Sequence, residues 1–367
     1  MTGVQTCALP ISRLNIDKIN VDRYLPPTDP NAKPNPEGLL PVDLLRKQNM
    51  DVVITIGALT AMNYPIKQLQ IASTAGGGVV QVSKLSGSIY NGSFDVPTTI
   101  DVRGKEPQLT VKPNIQQIDI ANVIQQFTKK DLFAGKAAYQ GTLQLTGNSV
   151  QAWTNSVNGN STLKFDNGVL KGVNMMQLVM NEMGKYQALL PYVTGKDSAT
   201  IVNKQNDTEI ASFLGQADIK NGNVNTKALN ADLKKAKVEG GGSFNLATME
   251  ADYSFKFNLD KAVAGENMAK YPIPIRCKGK ITAMASLCTV DSTAVRDIAG
   301  KALLESEKVQ KLKADLDAKQ AEAKAKAQAK IDEQTKKASD KLGAEGQKAA
   351  GELGNKLNEQ LNKLFKH

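Results

Sequence analysis

The stretch Leu39–Pro107 constrains the fold of this chain more than any other, because its side chains alternate along a series of short extended runs. Within Asp51–Leu59, Val52, Ile54 and Ile56 point to one face of a strand, and the residues between them point to the other. Similar runs follow at short intervals, separated by glycine and asparagine. A repeated period of two predicts a ladder of mostly antiparallel β-strands.

Tight turns are predicted where asparagine precedes glycine, since both residues tolerate the positive φ that short hairpins require. The segments Tyr90–Ser93 and Ala217–Val224 carry such a pair between two strands. In Asn160–Gly172, the sequence Asp166-Asn167-Gly168 predicts another hairpin of the same plan.

These patterns predict a mainly β body over 13–290. Single strands are expected near 14–21, 51–60, 66–74, 78–85, 88–91, 93–102, 108–112 and 137–146, and a block of several strands is expected over 213–259. Short helices are expected near 120–126 and 149–157. A methionine-rich helix is expected near 175–190, where core packing on the sheet is favoured over an adaptable plug that contacts lipid.

From Val295 onward the chain consists largely of alanine, lysine, glutamate, aspartate and glutamine without proline, which predicts helix. We place the boundary of this tail at 291–367. Leucines form short seams near 309–316 and 353–365, but alanine is the apolar surface between them. A solvated helical tail is therefore favoured over a specific coiled coil.

Residues that could support catalysis are scarce. The single histidine is His367, so general acid–base chemistry near neutral pH and nitrogen-ligated metals have few candidates. The triplets Gly76–Gly78 and Gly240–Gly242 lack the lysine and serine or threonine that complete a phosphate-binding loop, and they indicate bends or bulges between strands. We expect no enzymatic activity, no catalytic residues, no metal and no cofactor.

The net charge of +10 does not indicate nucleic-acid binding, because lysines are interleaved with acidic and amide residues. A solvated basic surface is favoured. Two of the three cysteines, Cys277 and Cys288, flank an expected hairpin without a third metal ligand nearby. A disulfide is favoured over free thiols, and it would fit an oxidising compartment such as the periplasm.

The first segment, Met1–Ser12, resembles a translated sequencing adapter joined to a broken reading frame. It lacks the basic start and the apolar run of a signal peptide. We exclude it from the expected fold, and we expect the natural N-terminus to be missing from this chain.

Several segments in combination resemble the AsmA family. They are Leu40–Leu45, Asp51–Ile56, Gly87–Gly92, Asp101–Gly104 with Pro107, Gly141–Leu143, Phe165–Asn174 and the block Gly215–Leu259, spread over about 13–290. The resemblance implies an inner-membrane helix, absent here, and an elongated, curved β-sheet groove in the periplasm of a Gram-negative envelope. It also implies a non-enzymatic role in outer-membrane assembly and homeostasis, with regulation of protein targeting to the membrane among the functions linked to the family.

Four side chains on one strand are the candidate lipid-facing residues: Tyr253, Phe255, Phe257 and Leu259 alternate with polar residues, so that one face is apolar and the other solvated. Together with the resemblance, they predict a groove that carries phospholipid or another envelope lipid between the two membranes. The alternative is a structural or regulatory scaffold, acting with outer-membrane assembly factors, whose apolar face is a filled core.

Overall fold

The computed structural model describes residues 11–24, 38–61, 63–128, 131, 133–172, 174–185, 207–341 and 344–364. The chain divides into two compact units, Met1–Ile298 and Ala299–His367. Residues 1–10 of the adapter-like segment lie outside the described residues, whereas Ile11 and Ser12 begin a strand. Residues 25–37, which are rich in proline, also lie outside the described residues.

The first unit is built on one sheet of sixteen strands. The strands are β1 Ile11–Asn20, β2 Met50–Ala61, β3 Tyr64–Gly76, β4 Val79–Ile89, β5 Gly92–Asp95, β6 Thr98–Asp101, β7 Gln108–Val111, β8 Asn114–Asp119, β9 Phe133–Thr146, β10 Asn158–Leu170, β11 Thr208–Lys220, β12 Asn223–Asp232, β13 Ala236–Asn245, β14 Glu250–Leu259, β15 Ile273–Lys280 and β16 Cys288–Val290.

The strands follow one another across the sheet in the order β1-β2-β3-β4-β5-β8-β9 and then consecutively to β16, while β6 and β7 form a second bridge from β4 to β9. β1 pairs with β2 in parallel, and the other described pairs are antiparallel. The predicted mainly β, mostly antiparallel body is therefore confirmed. Most strands pair with the next strand along the chain, and some of these pairs, such as β3 with β4 and β11 with β12, are joined by short turns.

Both predicted hairpins are present, but the asparagine-glycine pair forms the turn itself only at Asn221-Gly222, because Gly92 is already the first residue of β5. Tyr90 and Asn91 have φ of 48° and 60° between β4 and β5, and Asn221 and Gly222 have φ of 48° and 74° between β11 and β12. Positive φ at both central residues gives a turn whose twist matches that of the paired strands.

The hairpin predicted at Asp166-Asn167-Gly168 is wrong. β10 continues through these residues and pairs with β9 on one side and β11 on the other. Asn167 has a φ of 51°, and the register with β9 shifts between Asp166 and Val169, which is a β-bulge. A bulge uses the same left-handed conformation as a turn, but the chain does not reverse.

The glycine triplets differ from one another. Gly77 and Gly78, with φ of 56° and 78°, form the turn between β3 and β4, as predicted. Gly240–Gly242 instead lie inside β13 and pair with β14, so the predicted place between strands is wrong there. A β-bulge does occur at this point, because the register of β13 with β12 shifts between Thr226 and Leu229.

Each predicted helical segment contains a helix where it falls on described residues, and three further helices, over 42–47, 261–268 and 284–287, were not predicted. The described helices are α1 Val42–Lys47, α2 Ile120–Thr128, α3 Val150–Ser156, α4 Met175–Gly184, α5 Lys261–Met268, α6 Met284–Leu287, α7 Ser292–Leu304, α8 Glu307–Lys341 and α9 Ala344–Leu364. On α4, Val179, Met180 and Met183 are buried, as the core-packing interpretation predicts. The remainder of the predicted helix, 186–190, lies outside the described residues.

In the second unit α8 and α9 pack against each other. The Gln328 amide donates to Asn358 Oδ1 at 2.6 Å, and Gly354 allows close approach to Thr335. Leu312 and Leu316 of α8 remain more than half exposed. The leucine seams that the sequence shows are thus only partly buried within this unit.

Candidate functional site

The sheet of the first unit has one apolar face that continues across its whole width. Starting at β1 and moving strand by strand through the pairing register, one row reads Leu14, Ile54, Ile71 and Leu85, and then Gly87, Phe94, Ile115, Tyr139, Leu163, Gly215, Leu229, Gly240, Phe255, Ile275 and Val290. Every member is apolar, aromatic or glycine.

The row next to it, one residue along each strand, points to the opposite face and is polar. It reads Asn15, Thr55, Gln70, Ser86, Asp95, Asn114, Gln140, Thr162 and Gln216 from β1 to β11. Since neighbouring residues on a strand face opposite ways, the two rows give an apolar and a solvated side to the same sheet.

Part of the apolar face forms an open groove of about 870 Å³ that extends from β9 across β15 and reaches Cys288 on the edge strand β16. Its wall includes Leu163, Ile210, Leu229, Val238, Phe244 and Phe255. Near β9–β11 the rings of Phe133, Phe165 and Phe213 follow one another, with centroids 4.9 and 5.2 Å apart. These rings come from three strands and are brought together only by the register.

Two aromatic rings and two glycines shape the groove at β13 and β14. Tyr253 and Phe255 stack with centroids 5.8 Å apart and an interplanar angle of 5°. They lie opposite Gly242 and Gly240, where a Cβ would collide with the rings and with the main chain of β14. The glycines thus make room for aromatic side chains that cover the neighbouring backbone.

The described hydroxyl groups in the groove wall have partners within the protein. The Tyr253 hydroxyl lies 2.9 Å from Thr226 Oγ1, and Thr208 Oγ1 accepts a hydrogen bond from the Met175 amide. Burial raises the pKa of the Tyr139 phenol, although a hydrogen bond with Ser161 opposes this shift. The wall therefore offers a ligand mainly dispersion and hydrophobic contact.

The four predicted lipid-facing residues share one face of β14 but fall into two environments. Tyr253 and Phe255 are half-buried and line the groove. Phe257 and Leu259 are 0% and 4% exposed. Their strand neighbours Ile273 and Ala236 are buried with them, and α5 packs on this end of β14. Phe257 and Leu259 therefore do not line the groove but are packed in the core, and Phe257 also borders the smaller pocket beside Lys234 and Lys235.

Cys277 and Cys288 form a disulfide with an Sγ–Sγ distance of 2.00 Å. They occupy directly opposed positions on β15 and β16, and both line the groove. The bond ties the three-residue edge strand β16 to the rest of the sheet.

Metal ligands and membrane-spanning helices can be judged for the described residues. Among them, no group of three or more histidine, cysteine, aspartate or glutamate residues is arranged to hold a metal ion. None of their helices combines the length and the apolar character needed to cross a bilayer.

A long, mainly antiparallel sheet with one continuous apolar face is the class of fold that these observations define. The family model described as the AsmA family matches residues 20–229, and the chain belongs to this family. Protein AsmA of Escherichia coli (strain K12) is 20% identical over 207 residues, which cover 55% of this chain and 32% of that protein. The chain thus spans about a third of this relative's length. No solved structure matches it.

The predicted family is confirmed, but sequence reasoning missed most of the groove. It identified Tyr253 and Phe255 from local alternation on one strand. It did not identify Phe133, Phe165 or Phe213, because they are far apart in the sequence and their adjacency depends on which strands pair. Their only signal in the sequence is an aromatic residue on the apolar side of a strand.

Proposed function

We propose that this protein is a non-enzymatic component of the cell envelope that supports outer-membrane assembly and homeostasis by carrying lipid along the apolar face of its sheet. The observation that carries the proposal is the apolar row from β1 to β16, which steps once by two residues along β4 and whose section between β9 and β15 is an open groove. A water-soluble sheet leaves such a face open only at a cost, unless a ligand or partner covers it.

The dimensions of the groove suit an acyl chain. From β9 to β15 there are six strand spacings, which at about 4.8 Å each give a track of about 29 Å. Two opposed tails fill the roughly 30 Å hydrocarbon core of a bilayer, so one tail extends over about 15 Å. Each CH₂ group withdrawn from water contributes about 0.8 kcal/mol, and a track with repeated apolar contacts lets a tail move without leaving them.

The composition supports a binding function over a catalytic one. Nucleophile–base pairs that use histidine have one candidate base, His367, since the chain has a single histidine. The disulfide between Cys277 and Cys288 supports an oxidising location. In this proposal the region lies on the periplasmic side of the inner membrane, with envelope lipid as its partner and outer-membrane assembly factors as further candidates.

Site-specific photo-crosslinking in living cells tests the proposal. A photoreactive residue at Phe255 faces the groove, whereas one at Lys256 lies on the opposite, solvated face of the same strand and is the matched control. Lipid adducts at Phe255 and none at Lys256 are expected. If Phe255 gives only intramolecular adducts, the apolar face is a filled core, and the scaffold alternative, in which the protein affects assembly or targeting of outer-membrane proteins by contact, replaces lipid transport.

A further inference from the structure

A second, smaller pocket of about 90 Å³ adjoins one end of the groove. Thr208 and Leu233 line both spaces, so the apolar wall leads directly into this pocket. It lies where β11 begins and where the chain turns from β12 to β13. Unlike the groove, it is lined by charged side chains.

The charged lining contains two groups of each sign. Lys234 Nζ lies 2.7 Å from Glu209 Oε2, and Asp207 Oδ1 accepts a hydrogen bond from the Gly172 amide at 2.8 Å. Lys235 follows Lys234 and is exposed. Hydrogen bonding and charge from Lys234, with a smaller contribution from Lys235, lower the pKa of Glu209, so both signs are present at neutral pH.

The size of the pocket limits what can occupy it. A water molecule takes up about 30 Å³ in the liquid, so about 90 Å³ accommodates about three waters. A headgroup of about eight non-hydrogen atoms is larger than this space, so part of it would lie over the exposed side chains of Lys234 and Glu209. The first amides of α4, which borders the pocket, already donate to Thr208 and Asn174 side chains. Recognition therefore depends on the charged side chains.

We propose that this pocket binds a zwitterionic headgroup, with a phosphate beside Lys234 and Lys235 and an ammonium beside Asp207 and Glu209, while the acyl chains of the same lipid lie in the groove. An anionic headgroup would meet two carboxylates, and a cationic one would meet two lysines. A headgroup that carries both charges pairs its phosphate with the lysines and its ammonium with the carboxylates. This inference rests on the proposed function, since it names the lipid class that the groove selects.

Lipid extraction by the intact chain tests the pocket. The protein is incubated with vesicles of equal parts phosphatidylethanolamine and phosphatidylglycerol, reisolated, and its lipid is analysed by mass spectrometry. We expect phosphatidylethanolamine to be enriched about two- to five-fold, the range for partly exposed charge pairs. The double variant Lys234→Gln/Lys235→Gln and the variant Glu209→Gln should each lose this enrichment, and Lys256→Gln, on the solvated face of β14, should keep it.

The outcomes separate the headgroup pocket from the groove. Lipid bound without headgroup preference, or a preference unchanged in the pocket variants, overturns the pocket assignment and leaves lipid carriage intact. No lipid bound at all overturns the proposed function itself. The last measurement uses free phosphoethanolamine, which has the headgroup but no acyl chain. If it binds the pocket as tightly as the lipid does, the site recognises a soluble metabolite, and the assignment to lipid is refuted.

Discussion

Phe255 and Phe257 are a matched pair for measuring where groove ends and core begins, because they lie two residues apart on the same face of β14. Phe257 is fully buried, and its cross-strand neighbours Val238 and Ile273 are buried as well. Replacing it with alanine removes the ring and leaves a cavity, which costs about 3–5 kcal/mol. Against a typical stability of about 5–15 kcal/mol, that loss is large.

Phe255→Ala should cost much less. The ring is half-buried and lines a groove that is already open, so no new cavity forms. Half of the roughly 1.5–3 kcal/mol for complete burial is about 1 kcal/mol. With an m-value of about 3 kcal/mol per molar urea, Phe257→Ala lowers the unfolding midpoint by about 1–1.7 M, and Phe255→Ala lowers it by about 0.3 M.

The assay is urea unfolding followed by the fluorescence of Trp153 and by circular dichroism, with acyl-chain binding measured on the folded fraction of each variant. Phe255→Asp should fold and bind fatty acid less tightly, whereas Phe257→Asp should not fold, because an unpaired charge would be buried. Equal midpoint shifts for the two alanine variants, or unchanged fatty-acid binding by Phe255→Asp, would refute the distinction between groove and core.

Three further predictions concern other parts of the first unit. Cys277 and Cys288 should resist alkylation in unreduced periplasmic material and react after reduction; thiols that react without reductant contradict the pairing. Hydrogen bonds from Arg103 lower the pKa of Asp101 from 3.8 to about 2. The stabilisation that they give to the folded protein is therefore present above the pKa of 3.8 in the unfolded chain, and it is lost as the pH falls through the folded-state pKa of about 2. A carboxyl NMR titration should show this pKa, and Arg103→Gln should return it towards 3.8; an unchanged pKa argues against the pair. Gly242→Ala should lower the unfolding free energy by about 1–3 kcal/mol, because the added Cβ overlaps main-chain atoms of β14, and a neutral effect would show that the strands can separate locally.

The sequence by itself determined the local features of this protein. Alternation fixes which side chains share a face, since the period of a strand is two whatever it pairs with. The turn at Asn221-Gly222 is equally local, because only a few residue types adopt positive φ readily. Composition determined the helical character of the C-terminal segment.

Tertiary structure decided the features that depend on strand pairing. Asp166-Asn167-Gly168 has the residues of a turn, yet it forms a bulge because β9 and β11 both pair with the uninterrupted strand. The alternation on β14 cannot distinguish Phe255 from Phe257, since what covers each ring comes from elements distant in sequence. The sequence therefore determines that the sheet has an apolar face, and long-range packing determines which part of that face remains open to a ligand.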